Sequence, residues 1–306
     1  MSMHLSPSRE VIAQHEAERS TTNIVSFRLN FLHSGTIGGH PPSNEPGKFN
    51  NPVDVKISPE HHLVLVADSE NKRIQAFDLF TKEYKYSIET PDKPLCIAVD
   101  QKDDTFIVSC ENHGIYKYSL HTHALVWSLE SSEIFVKPKG IAVDESNGNV
   151  FVSDTKVVLL TRGGKFIRHI GGEGKGPMQF NSPHGIAVSN RDGFLIVCDN
   201  QNNRVQIISK NGDDFIYMFG KKGISSSDFL YPTGLTVDKP TGNIIVCDTS
   251  NNRIQVFSHR GEFVKCFGAK GCGQNEFQNP TGICINTRNG ELYVADSLNN
   301  RIQIYK

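Results

Sequence analysis

Four sets of Asp, Asn and Arg recur in this chain at one fixed spacing. They are Asp68, Asn71 and Arg73; Asp199, Asn202 and Arg204; Asp248, Asn251 and Arg253; and Asp296, Asn299 and Arg301. A carboxylate five residues before a guanidinium could in principle bind a phosphate or polarise a carbonyl. Recurrence at four equivalent places argues instead for a brace that every unit needs. Asp and Asn tolerate left-handed turn geometry and bond nearby backbone N–H groups, and an Asp–Arg pair adds a charge-assisted bond. Gln75, Gln206, Gln255 and Gln303 follow each set and read as part of the same brace.

Residues that vary between units carry more functional information. The position after each unit's opening proline reads Val53, Leu95, Lys139, His184, Thr233 and Thr281. His184 reads first as a residue bonded to backbone or water, and with Lys139 it could form a small anion pocket. One imidazole falls short of the three protein ligands of a catalytic zinc, so no metal or cofactor is expected there. Gly171-Gly-Glu-Gly-Lys-Gly176 lacks the order of a phosphate-binding loop. Its glycines recur after Phe219 and Phe267, as a connector would. No nucleophile elbow or H-E-x-x-H pair is present.

The elements that hold these residues follow from the repeat. Pro52, Pro94, Pro138, Pro183, Pro232 and Pro280 stand 42 to 49 residues apart, and Phe49, Phe135, Phe180, Phe229 and Phe277 each precede one by three. Within a unit, four runs of β-branched and aromatic residues are separated by Gly, Asn, Asp and Pro clusters, which predicts four short antiparallel strands. Such units arranged radially make a β-propeller. The last unit stops at Lys306 after its third strand. An N-terminal strand, placed at Ile24 to Phe31, is expected to complete it and hide two open edges. The fold expected is all-β, a six-bladed propeller over residues 22–306 preceded by a flexible tail, 1–21. A short helix over Ser8 to Ser20 is the alternative for part of that tail.

The pattern Pro-x-Gly-[Ile/Leu]-[Ala/Thr]-Val-Asp, then Val-x-Asp, then Asn-x-Arg-[Ile/Val]-Gln, resembles the NHL repeat. The resemblance implies six-bladed propellers serving diverse functions. They include tripartite-motif-like ubiquitin ligases whose propeller recognises RNA or protein, receptor-kinase sensors, and zinc-centred peptidylglycine amidating lyases. The lyases carry Pro-His-x-[Leu/Ile] at three inner positions. Here only Pro183-His184-Gly-Ile186 matches, so lyase activity is not expected. Nor is an intrinsic ligase activity, since zinc-binding Cys and His pairs of a RING are missing from the chain. The second and third units depart from the pattern. Ser109 and Gly114 are read at the Asp and Arg positions of the second, and the third has Asp154 without an Asn-Asn-Arg loop.

Charge weighs on the choice of partner. The chain has 32 basic and 33 acidic residues, and its connectors and loops balance to within one charge. A neutral rim disfavours RNA, whose phosphates draw on Lys and Arg for most non-specific affinity. Phe229 and Tyr231 are the residues that could stack on bases. Seven cysteines without a C-x-x-C pair suggest no disulfide framework, and Cys198 and Cys247 read as small core residues. The expectation is a cytoplasmic, monomeric, non-enzymatic scaffold that binds a protein or peptide and engages no membrane. The other readings are an RNA-binding propeller acting with a tripartite-motif-like ubiquitin ligase system, small-molecule sensing, and a divergent lyase-like enzyme.

Overall fold

The structure, a computed structural model, describes residues 24–112 and 114–306. The expected tail and its Ser8–Ser20 helix lie outside them. The described chain forms six four-stranded antiparallel sheets arranged as a six-bladed propeller. Blade one comprises Pro52–Ser58, Leu63–Asp68, Arg73–Asp78 and Tyr84–Glu89. Blade two comprises Pro94–Asp100, Thr105–Cys110, Gly114–Ser119 and Leu125–Glu130. Blade three uses shorter strands, Ile141–Val143, Val150–Ser153, Val157–Leu160 and Phe166–Ile170. Blades four and five begin at Ile186–Ser189 and Leu235–Val237 and end at Phe215–Phe219 and Phe263–Phe267.

Blade six is assembled from both ends of the chain. Pro280–Ile285, Leu292–Asp296 and Arg301–Tyr305 are followed by His33–Gly38 as the fourth strand. Ile37 pairs with Ile302, and Gly38 with Arg301. The closing strand is therefore His33–Gly38, not Ile24 to Phe31. Gly38 fixes the register. Its φ of +78° suits glycine, and a Cβ there would meet the Phe49 ring at 2.4 Å, as one at Gly268 would meet Phe277 at 2.6 Å. Residues 24–31 instead wedge between blades five and six. Phe27 and Phe31 are buried, and Phe31 stacks on Phe267 with ring centroids 4.3 Å apart.

The middle strands of each blade are buried along nearly their whole length, because both faces are covered by neighbouring blades. This explains runs such as Leu63-Val-Leu-Val-Ala, where simple alternation would leave one face polar. Fourth strands are half exposed, as in Leu125–Glu130. The five repeated phenylalanines before the prolines are fully buried. The loops between second and third strands and the connectors between blades share one face of the ring. The turns between first and second strands and between third and fourth occupy the other.

Candidate functional site

The four Asp sets converge on one geometry. In blade four, Asp199 Oδ1 accepts the Asn181 N–H at 2.7 Å. Its Oδ2 accepts from Asn202 at 2.9 Å, Arg204 Nε at 2.7 Å and Gln206 at 3.0 Å. Arg204 then donates to the carbonyls of Lys175, Gly176 and Gln179 in the incoming connector. The same arrangement surrounds Asp68, Asp248 and Asp296. Each loop turns through a 3-10 segment that ends in a left-handed residue: Lys72, Asn203, Asn252 or Asn300. Every carboxylate oxygen is engaged inside the brace, so these residues hold the connectors and leave nothing for a ligand.

Register corrects the reading of blade two. Cys110 faces Gly114 as Asp68 faces Arg73, so Cys110 and not Ser109 occupies the Asp position. Ser109 aligns with Ala67 and donates across to the Lys139 carbonyl of blade three. Tyr116 stands where the four braced blades have Gln and bonds Glu130 at 2.9 Å. In blade three Asp154 keeps its backbone bonds to Val136 and Lys137 but has no Arg partner among the described residues.

Val53, Leu95, Lys139, His184, Thr233 and Thr281 all line one cavity of about 460 Å³ at the connector face of the channel. Val136, Ile141, Ile186, Leu235 and Ile283 add apolar wall, with Lys137 and Glu111 among the charged lining residues. Thr233 and Thr281 spend their hydroxyls on Thr249 and Ser297 of their own blades and on the carbonyls of Thr281 and Val53 in the next. Lys139 Nζ lies 2.6 Å from both Ser182 Oγ and His184 Nε2, so His184 accepts there and carries its proton on Nδ1. Burial, reinforced by Lys139, pulls His184 down to about 3, which keeps it neutral across the physiological range. Burial, with repulsion from Lys137, brings Lys139 down to about 8. The cavity floor is the pair Lys56 and Asp54, 2.6 Å apart. Lys56 also lines a hollow of about 250 Å³ at the opposite mouth, so this pair forms the neck of the channel. Burial opposes the Lys56 charge, but Asp54 holds its ammonium above the ordinary lysine range.

A second hollow, of about 560 Å³, runs between blades three and four and shares Val136, Lys137 and Lys139 with the cavity. Glu173, Lys175 and Asn181 continue it outward. Of the two residues proposed to stack on bases, Phe229 is fully buried and unavailable, whereas Tyr231 is exposed. On the opposite face His61, Asp104 and His121 come together. Sequence reasoning missed them, because they lie 43 and 17 residues apart on turns of two blades and form no short motif.

The NHL repeat matches residues 49–77, 180–208, 229–257 and 277–305, the four units that carry the full Asp–Asn–Arg brace. Four of the six blades of this propeller are thus built on NHL repeats. It is similar to peptidylglycine alpha-amidating monooxygenase of Rattus norvegicus, 29% identical over 129 residues, covering 37% of this chain and 13% of the rat protein. It is also similar to a probable peptidyl-alpha-hydroxyglycine alpha-amidating lyase of Caenorhabditis elegans, 26% identical over 129 residues, covering 38% of this chain and 37% of that protein. The match thus spans well under half of either relative. In fold it resembles a solved Bacteroides thetaiotaomicron protein of unknown function at TM-score 0.74 and 17% identity, covering 89% of this chain and 74% of that one. An auxiliary nutrient binding protein from the same organism follows at 0.69 and 14%, covering 94% and 75%. Among the described residues no helix is long and apolar enough to cross a membrane.

The zinc implied by the lyase resemblance does not fit the residues at the channel mouth. The six positions supply one imidazole, and its Nε2 faces the Lys139 amine at 2.6 Å. A cation at that nitrogen would sit against the amine, which is itself a cation below its pKa, and no second or third His stands at the ring.

Proposed function

We propose that this propeller is a non-enzymatic recognition module that takes a peptide segment of a protein partner across its connector face. The carboxylate of the peptide would be lodged beside Lys139. The observation that carries this reading is the continuity of two hollows through Val136, Lys137 and Lys139. An extended chain can lie in the outer groove and place one end in the apolar cavity. Asp154 is held by backbone N–H groups and Asp54 by Lys56. Among the described residues Lys137 and Lys175 have no ion-pair partner, and Lys139 has only neutral ones. Lys139, half-buried and without an anion, is a ready donor to a carboxylate, with exposed Lys137 and Lys175 adding charge beside it. The amidating relatives are named for peptidyl substrates, which is consistent with a peptide on this fold but assigns no chemistry here.

The test is a library of peptides bearing free C-terminal carboxylates, each paired with its amidated form, read by fluorescence polarisation. Selective binding of the free acids, lost in Lys139→Met, is the expected result. Indifference to amidation together with capture of RNA would overturn the proposal. Turnover of an α-hydroxyglycine peptide by the purified chain would favour the lyase-like reading instead.

A further inference from the structure

We propose that His61, Asp104 and His121 form a binding site for a divalent transition metal, zinc first, at the seam between blades one and two. The three residues come from separate turns. His61 follows the first strand of blade one, Asp104 joins the first two strands of blade two, and His121 joins its last two. Their potential ligand atoms, one from each residue, lie within 4.8 Å of one another, with a different Asp104 oxygen turned to each imidazole. His61 Nε2 lies 3.4 Å from His121 Nε2 and 3.5 Å from Asp104 Oδ1. His121 Nε2 lies 3.6 Å from Asp104 Oδ2. Ligands held at about 2.0–2.1 Å in a tetrahedron stand ~3.3 Å apart, close to the two distances from His61, and a turn of the Asp104 carboxylate brings one oxygen toward both imidazoles.

The surroundings prepare these atoms for a metal. The other nitrogen of His61, Nδ1, lies 2.9 Å from Ser58 Oγ, and Ser58 donates to Gln101 Oε1 at 3.2 Å. A serine hydroxyl that spends its proton on Gln101 can only accept from Nδ1–H, which leaves the Nε2 lone pair aimed into the triangle. Metal-binding histidines are held in this way by a partner on their second nitrogen. The turns are fixed as well. The Leu120 N–H donates to the Asp104 carbonyl at 2.9 Å, tying the turn that bears His121 to the one that bears Asp104. Asp104 and His121 are half exposed, so the fourth position opens to water. Three protein ligands and one solvent position match an accessible zinc site better than a closed structural one. The site is remote in the fold from Lys139 and His184, on the opposite face of the ring.

The experiment uses the full chain stripped with chelator and dialysed, then titrated with ZnCl2 against a chromophoric competitor. The comparison is with His121→Ala, an exposed turn position, and with Ser58→Ala. The parent is expected to take up one tight equivalent and to melt at a higher temperature with zinc. His121→Ala should bind about a hundredfold more weakly and lose the zinc-dependent shift. Ser58→Ala should weaken binding about tenfold through loss of its hold on Nδ1. CoCl2 should give the strong visible absorption of a tetrahedral ion in the parent and not in His121→Ala. Zinc held equally by the parent and His121→Ala, or no tight equivalent in the parent, would overturn the proposal. A His184→Ala variant that retains the parent affinity would separate this site from the channel.

Discussion

Blades four and three stand side by side and solve the same problem differently. In blade four Asp199 gathers a backbone N–H, an amide, a guanidinium and a second amide, and Arg204 carries the grip to three connector carbonyls. In blade three Asp154 accepts only two backbone N–H groups. Blade two dispenses with the carboxylate altogether and fills the space with Tyr116. Blades one, four, five and six are thus fastened on the connector face, whereas blades two and three present less-braced connectors. Lys137, Lys139 and exposed Val136 lie in that looser sector, next to braced His184. The repeated unit supplies rigidity, and the units that abandon the repeat leave side chains uncommitted to a brace on the connector face.

The sharpest way to break this contrast is to remove both carboxylates. Asp199→Ala leaves the buried Arg204 guanidinium and the Asn181 N–H without their acceptor, and is expected to cost ~3–5 kcal/mol in denaturant unfolding. Asp154→Ala strands two backbone donors and is expected to cost about 2 kcal/mol. Equal losses would show that the guanidinium adds nothing and that the two sectors are fastened alike.

Phe31→Ala tests whether the braced sector depends on its seam. The ring is buried, stacks on Phe267 and meets Tyr305 edge-on at 6.5 Å. Its removal is expected to lower stability by about 3 kcal/mol in a single cooperative transition, because the two chain ends hold one sheet. A separate early transition for blade six would mean that the ring opens there before it unfolds.

The difference between braced and unbraced blades was legible in the sequence because hydrogen-bonding residue types recur at fixed spacing. Pro and Phe spacing likewise gave the number of blades, and the truncated last unit revealed that the ends must meet. Where the chain meets itself was harder to read. Ile24 to Phe31 has the apolar content of a strand, yet Gly38 beneath the Phe49 ring sets the pairing, and nothing in residues 24–31 distinguishes a wedge from a strand. A shortened loop misplaced Ser109 by one residue, since Cys110 and Gly114 are four apart where Asp and Arg are five. The ring of inner positions could be named from the repeat, but the contact of Lys139 with His184 needs the angle between two blades. The triangle of His61, Asp104 and His121 needs three turns from two blades and has no linear signature.

The looser sector should also respond to pH in a particular direction. Burial brings Lys139 down to about 8, so the folded protein gives up this proton before the unfolded chain does. The unfolded chain therefore binds more protons between pH 8 and the ordinary lysine range, and this residue's contribution makes stability rise with pH across that window. Carboxylate binding should move the opposite way. Affinity for an acid-terminated peptide is expected to fall about tenfold from pH 7 to pH 9, as the charged fraction of Lys139 declines. His184, already neutral, should add no step above pH 5. Lys139→Met should be stabilised near neutrality, with the gain fading as the pH approaches 10. A pH-independent gain would mean that the amine is replaced for its shape and not for its charge.

The smallest effect should come from an exposed ion pair that joins the two sectors across the turn face. Lys239 of blade five reaches Glu145 of blade three at 2.6 Å, with both side chains about half exposed. Exposed pairs are screened and entropically costly, so Lys239→Ala is expected to change stability by less than ~0.5 kcal/mol. Blade three would then be held by its apolar contacts with blades two and four, where Ile141, Phe151 and Leu195 are buried, and by its ion pairs with the same two blades, Arg162–Asp100 and Lys210–Asp144 among them. A loss of about 2 kcal/mol would reverse this view. It would mean that the blade lacking the guanidinium brace on one face borrows its fastening from a strut on the other, and that its connector is free only while the strut holds.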